Sequence, residues 1–298
     1  MQDKCDLTVV GSLMSKSTDH FYFGLSNEGF HRNYYRSWGD PDNDNIIICV
    51  HGVTRLSRDF DVLAEALSTD YRVICPDIVG RGYSDWFGNQ QNYNFLQYCA
   101  DMNALIAHLN TDRVHWIGTS MGGLIGMILS AMSQTPIQTL ILNDVGPDLK
   151  RVELQRLGQY IGKAPVFNTQ KELFDYYRET YQAFGTLPVK QWKEMALYSS
   201  FEEDYGYRMH YDPKIGDAFR KSYSFHNFDL WKYWDEIDCP SLLIRGELST
   251  FFTEMTAEKM CARGTDVQFQ RVKNVGHAPR LNSKTEINFI KKFYASLE

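Results

Sequence analysis

Short apolar runs alternate with helical patterns along most of the chain. Six runs stand out: NIIICVHG (45–52), YRVICPD (71–77), RVHWIG (113–118), TLILND (139–144), SLLIRG (241–246) and VQFQRV (267–272). Runs of this length, rich in Ile and Val, predict strands buried on both faces. RDFDVLAEALS (58–68) spaces Phe60, Leu63, Ala64 and Leu67 as one face of a helix. NFLQYCADMNALIAHLN (94–110) does the same with Leu96, Cys99, Met102, Leu105, Ile106 and Leu109. MGGLIGMILSAMS (121–133) is apolar nearly all round, which predicts a buried helix. Alternation of this kind implies right-handed crossovers and an α/β fold, a mainly parallel central sheet flanked by helices. Earlier in the chain, EGFHRNYYRSWGD (28–40) predicts an antiparallel hairpin at the sheet edge.

The alternation stops near Gly146 and resumes at DEIDCPSLLIRG (235–246). The intervening stretch has helical patterns, such as LQRLGQYIG, ELFDYYRETYQAF and QWKEMALYSSF, and no strand-like run. The expected organisation is therefore a core made of residues 1–145 and 231–298, with 146–230 inserted as a helical cap. There are no repeats, low-complexity tracts or polar linkers, so the cap is expected to dock on the core.

Composition narrows the function classes. With 298 residues, 43% of them hydrophobic, the chain can build a large core. A net charge of −6 argues against nucleic-acid and anionic-membrane partners, which require concentrated Lys and Arg. No run of 18 apolar residues suggests a membrane span, and MQDKCDLTVVGSLMSKSTDH lacks a signal-peptide pattern. The six cysteines (Cys5, Cys49, Cys75, Cys99, Cys239 and Cys261) have no paired spacing, so free thiols in a reducing cytoplasm are expected. No Cys/His cluster suits zinc. The sequence carries no signal for oligomeric state.

The strongest chemical motif is Gly118-Thr119-Ser120-Met121-Gly122, a G-x-S-x-G between an apolar strand and a helix. A serine at such a turn is held in a strained conformation that bulky neighbours would obstruct. The following helix turns its N-terminal N–H groups toward the site, and that of Met121 is one candidate oxyanion donor. CVHGVTR (49–55) offers the N–H of Val53 as the second, with His51 read as a structural neighbour. A serine hydroxyl needs a base. His277, in VKNVGHAPRLNS (272–283), has an adjacent glycine and follows the serine in chain order. His108, His115 and His226 are read as surface or packing residues.

HGVTR, PDIVGRGYSDW, GTSMGGLIG, LNDVGP and VGHAP, in this order, resemble the α/β-hydrolase superfamily, in the capped branch of esterases, lactonases and carbon–carbon bond hydrolases. The resemblance implies a Ser nucleophile, a His base, an acid that orients the His, and no cofactor or metal. Asp77, Arg81 and Ser84 then read as structural hydrogen-bonding residues. The acid most often follows the strand represented by SLLIRG, at the position held here by Thr250, which cannot carry the charge. Some superfamily members resemble an alternative in which the acid ends the preceding strand, and that implies Asp144, which otherwise braces its loop. Glu247 is the second candidate acid. The expected function is a serine hydrolase acting on a small-molecule substrate, a small, mostly apolar ester or lactone; the many aromatics in 146–230, among them Tyr160, Phe174, Tyr181 and Phe184, suggest the apolar pocket. Arg151, Arg156, Arg178 and Arg208 are candidates for a substrate carboxylate. Carbon–carbon bond hydrolysis of a diketone-like substrate uses the same Ser–His pair. Thr250 leaves open a non-catalytic ligand receptor.

Overall fold

Backbone groups withdrawn from water must find partners, and the apolar runs find them edge to edge. A computed structural model describes residues 17–223 and 228–297. Eight strands make the central sheet: β1 (Thr18–Ser26), β2 (Gly29–Trp38), β3 (Ile46–Val50), β4 (Arg72–Asp77), β5 (Val114–Thr119), β6 (Ile137–Asn143), β7 (Ser241–Gly246) and β8 (Val267–Val272). Their order is β1-β2-β4-β3-β5-β6-β7-β8. Every pair from β4 to β8 is parallel, while β2 runs antiparallel to both β1 and β4.

Successive strand residues face opposite sides, so each run feeds two cores. Ile47, Cys49, Val73, Cys75, Ile117, Ile141, Leu242 and Ile244 pack against α1 (Asp61–Leu67) and the C-terminal helix Lys284–Ala295. Ile48, Val50, Ile74, Trp116, Leu140, Leu142 and Leu243 face α2 (Phe95–His108) and α3 (Met121–Ser130). Cys49 and Cys75 are buried free thiols, and Cys99, Cys239 and Cys261 are free and partly buried. Cys5, His226 and the N-terminal stretch lie outside the described residues.

Several local expectations are corrected. The hairpin does sit at the sheet edge, but its arms are β1 and β2, and 28–40 supplies only the second arm. The first arm turns Phe21, Phe23 and Leu25 outward, which hides its strand pattern. Leu96 is 83% exposed, and Tyr98 takes its place on the buried face of α2. The strand at 267–272 is an edge strand, only partly buried, because nothing pairs with its outer side.

Residues 146–230 contain α4 (Arg151–Gly158), α5 (Gln170–Thr180), α6 (Val189–Tyr198) and α7 (Lys214–Tyr223). They also contain a small antiparallel sheet of Val166–Phe167, Gly206–Met209 and Ser200–Glu203, where no strand was expected. Strands of two to four residues are too short to show an alternating pattern. Asp148–Leu149 pairs with Phe228–Asp229, so the segment leaves and rejoins the rest of the chain side by side.

Leu243 is fully buried in β7, whereas Leu25 is 61% exposed. Leu243→Ala should cost about 3 kcal/mol of stability. Leu25→Ala should stay within about 0.5 kcal/mol. Urea midpoints of the two variants check this.

Candidate active site

The turn from β5 to α3 is built from close backbone contacts. A Cβ on Gly122 would lie 2.1 Å from the Val50 carbonyl oxygen, and one on Gly118 would lie 2.3 Å from that of Gly122. Only glycine fits at either place. Ser120, between them, has φ 51° and ψ −114°. Its N–H donates to the Asn143 carbonyl at 3.0 Å, which ties the strained turn to the end of β6.

His277 Nε2 lies 3.0 Å from Ser120 Oγ, and its Nδ1 lies 2.7 Å from Asp144 Oδ2. An ionised carboxylate only accepts, which assigns the ring proton to Nδ1 and leaves Nε2 to accept from the serine hydroxyl. Asp144 has φ 55° and no solvent exposure. Its carboxylate also accepts from the Gly246 N–H at 2.8 Å and from the Ser249 hydroxyl at 2.6 Å. The Phe252 N–H in turn donates to Ser249 Oγ at 3.2 Å. The loop with Thr250 where the acid most often stands thus supplies a donor, through Ser249, to Asp144 next door.

The second candidate acid, Glu247, and the residue at the usual acid position, Thr250, lie elsewhere. Glu247 is exposed and accepts from the Asn274 N–H at 3.1 Å, and Thr250 is exposed and accepts from Arg156 at 3.4 Å. The histidine loop is held by Asn143, whose amide donates to the Pro279 carbonyl at 2.7 Å and to Thr119 Oγ1 at 3.0 Å. Phe251 packs on the His277 ring, with centroids 4.3 Å apart. Ser249, Asn143 and Phe251 had not been singled out as site residues. A hydroxyl in the loop after SLLIRG, at Ser249, is visible in the sequence, but its partner across the sheet is not.

The loop with Val53 lies against Ser120: a Cβ on Gly52 would sit 3.8 Å from Ser120 Cβ. Arg81 Nε donates to the Val53 carbonyl at 2.8 Å and steadies this loop. Met121 opens α3, where an N–H has no carbonyl one turn back. His51 is fully buried. Its Nε2 accepts from the Ile78 N–H at 3.0 Å, and Nδ1 donates to the Gly52 carbonyl at 2.7 Å. Burial lowers its pKa to about 3 and keeps it neutral. Asp77 accepts from the N–H groups of Ser57 and Tyr83, and Ser84 donates to the Asp77 carbonyl. His108 is exposed, and His115 meets Thr139.

Two compartments meet at Ser120. One is narrow and mainly apolar, about 50 Å³, with Leu124, Leu149, Leu154, Ile215 and Phe219 in its walls. The other, about 480 Å³, contains His277 and has a mixed lining, in which charged and polar side chains stand beside aromatic and aliphatic ones. The mostly apolar pocket expected from the aromatics is met in full by the first and only in part by the second, which mixes apolar and charged walls. Tyr160, Tyr181 and Phe184 face the second, while Tyr177 and Trp192 are buried packing. Of the four arginines considered earlier, Arg156 lines the larger compartment, and Arg208 pairs with Glu203 on the surface. Among the described residues, no group of three or more His, Cys, Asp or Glu is placed to hold a metal, and no helix is long and apolar enough to cross a membrane.

The family model for the alpha/beta hydrolase fold matches residues 45–282. With this match, the sheet order and the turn at Ser120, the chain belongs to the α/β-hydrolase family, and it is an enzyme of the hydrolase class. It is 40% identical over 278 residues to the 3-hydroxybutyrate-oligomer hydrolase of Cupriavidus necator, covering 91% of this chain and 95% of that protein. The crystal structure of an alpha/beta hydrolase from Novosphingobium aromaticivorans matches with a TM-score of 0.85 and 32% identity, covering 95% of this chain and 99% of that one.

The folded chain keeps His51 neutral, whereas the unfolded chain protonates it below about pH 6.5. Its contribution to stability is therefore complete above that pH and is lost as pH falls from about 6.5 toward 3, by up to about 1.4 kcal/mol per pH unit. In urea titrations over this range, His51→Gln should show a correspondingly shallower dependence on pH than the wild type.

Proposed function

We propose that the chain is a serine esterase in which Ser120, His277 and Asp144 act as a triad. The observation that carries this reading is the hydrogen-bond line from Ser120 Oγ through the imidazole to a buried carboxylate, at the floor of a cavity. Ser120 attacks the ester carbonyl as His277 takes its proton. Asp144 holds the ring in the required tautomer and stabilises the imidazolium. The N–H groups of Val53 and Met121 receive the oxyanion, a contribution worth about 3 kcal/mol per donor. His277 then protonates the departing alcohol, and water releases the acid from the acyl-enzyme. Each step uses groups of this chain and water.

Residues 146–230 serve in this reading as a cap. Leu154, Leu157, Tyr160, Tyr181 and Phe219 from that segment wall the cavity over Ser120. The relative from Cupriavidus necator acts on 3-hydroxybutyrate oligomers, as its name states, which supports a small hydroxy-acid ester as the substrate. The match in length and the 40% identity favour ester cleavage over carbon–carbon cleavage by the same Ser–His pair.

A fluorophosphonate should label Ser120 and fail to label Ser120→Ala. Asp144→Asn should lower kcat on a 4-nitrophenyl ester by about 10⁴-fold. An unchanged rate removes Asp144 from the mechanism. Thr250→Asp, which places a carboxylate in the other loop, should leave turnover similar or higher.

A further inference from the structure

An alcohol departs only when its oxygen gains a proton, and in the proposed mechanism His277 delivers it. His277 lines the wide compartment and not the narrow one. The leaving part of the substrate therefore belongs in the wide compartment, and a short acyl part belongs in the narrow, apolar one.

The wide compartment has an unusual charge. Four cationic side chains, Arg55, Arg156, Lys163 and Arg280, line it against two carboxylates, Asp59 and Glu153, in a chain whose net charge is −6. Arg156 has a local partner in Glu153, at 3.7 Å. Arg55 is only 4% exposed. Its Nε and Nη2 donate to the two oxygens of Asp59 at 2.8 and 2.6 Å, but its buried Nη1 has no acceptor among the described residues. Arg280 repeats the pattern. Its Nη2 donates to the Tyr198 hydroxyl at 3.2 Å, and its Nη1 is buried without a protein acceptor. Tyr198 donates to Asp59 Oδ1 at 2.7 Å. Asp59 thus answers Arg55 directly and Arg280 only through the Tyr198 hydroxyl, which leaves one positive charge and two donors without a partner among the described residues. A buried donor without an acceptor is costly, and guanidinium cannot shed its proton to avoid that cost. A carboxylate held in the compartment would balance its surplus positive charge.

Building on the esterase reading, we propose that Arg55 and Arg280 anchor a carboxylate on the leaving alcohol, so that the preferred substrate is a short-chain acyl ester of a hydroxy acid whose acid end is free. Arg55 and Arg280 are then specificity-determining residues. Both stand in stretches already notable in the sequence, HGVTR and VGHAPR, but a guanidinium's spare donor is visible only once its neighbours are placed.

The test measures acetate release from 3-acetoxybutyrate and from its neutral counterpart, 3-acetoxybutanamide. Wild-type kcat/KM should favour the acid by about tenfold or more, the scale of one charge-assisted hydrogen bond. In Arg280→Gln that ratio should fall toward one, mainly through KM, and Arg280→Lys should recover part of it. Equal kcat/KM for the two substrates in the wild type, or an undiminished ratio in Arg280→Gln, overturns the anchor while turnover itself leaves the esterase reading intact. Turnover of neither substrate overturns the anchor alone if a fluorophosphonate still labels Ser120, and both readings if it does not. The wild-type comparison needs no variant, so it stands even if Arg280→Gln folds poorly.

Discussion

The buried carboxylate of Asp144 is the constraint around which the C-terminal edge of the sheet is arranged. A charge with no exposure is tolerable only when donors surround it, because stripping its water costs several kcal/mol. Those donors come from three places: the Gly246 N–H at the end of β7, the Ser249 hydroxyl in the loop beyond, and Nδ1 of His277. Satisfying one side chain therefore fixes the positions of β6, β7 and the histidine loop together. The preceding residue, Asn143, joins the same loop to β5 through Pro279 and Thr119. Adjacent residues on one strand thus brace the imidazole from two directions.

Backbone strain is concentrated at the same edge. Ser120 and Asp144 both adopt positive φ, at the ends of the neighbouring parallel strands β5 and β6. Such conformations cost of order 1–3 kcal/mol each and persist only where packing on all sides leaves no alternative. Here the rigid sheet and two glycines with backbone at contact distance provide that restraint. The open end of a parallel sheet is also where loops converge and clefts form, so the strained residues and the cavity share one location.

The cavity reverses the electrostatics of the molecule around it. An acidic chain presents a compartment where cations outnumber carboxylates two to one, beside a second compartment that is nearly all apolar. A substrate with an uncharged end and an anionic end would meet matching surroundings in only one orientation. Orientation set this way by charge needs little from shape, which suits a cavity walled partly by a separate helical segment.

Much of this protein was legible in its sequence. Buried parallel strands need uninterrupted apolar runs, so β3 to β7 announced themselves, and with them the α/β class. The G-x-S-x-G turn was readable because only glycine tolerates its close contacts. Ser120 and His277 stood out as candidates through the glycine-flanked turn and their chain order, and Asp144 through the resemblance to superfamily members whose acid ends this strand. Less was visible where the signal is short or reversed: the outward-facing aromatics of β1 masked a strand, and the two- to four-residue strands within 146–230 carry no period. The three-dimensional arrangement alone decided that Ser249 turns toward Asp144 while Glu247 turns to solvent and Thr250 lines the larger compartment, and that Asp59 pairs with Arg55 but meets Arg280 only through Tyr198. Sequence determines which groups are available and which elements carry them. The partner each group meets across 100 residues or more of chain, as Ser249 meets Asp144 105 residues away, depends on how those elements pack.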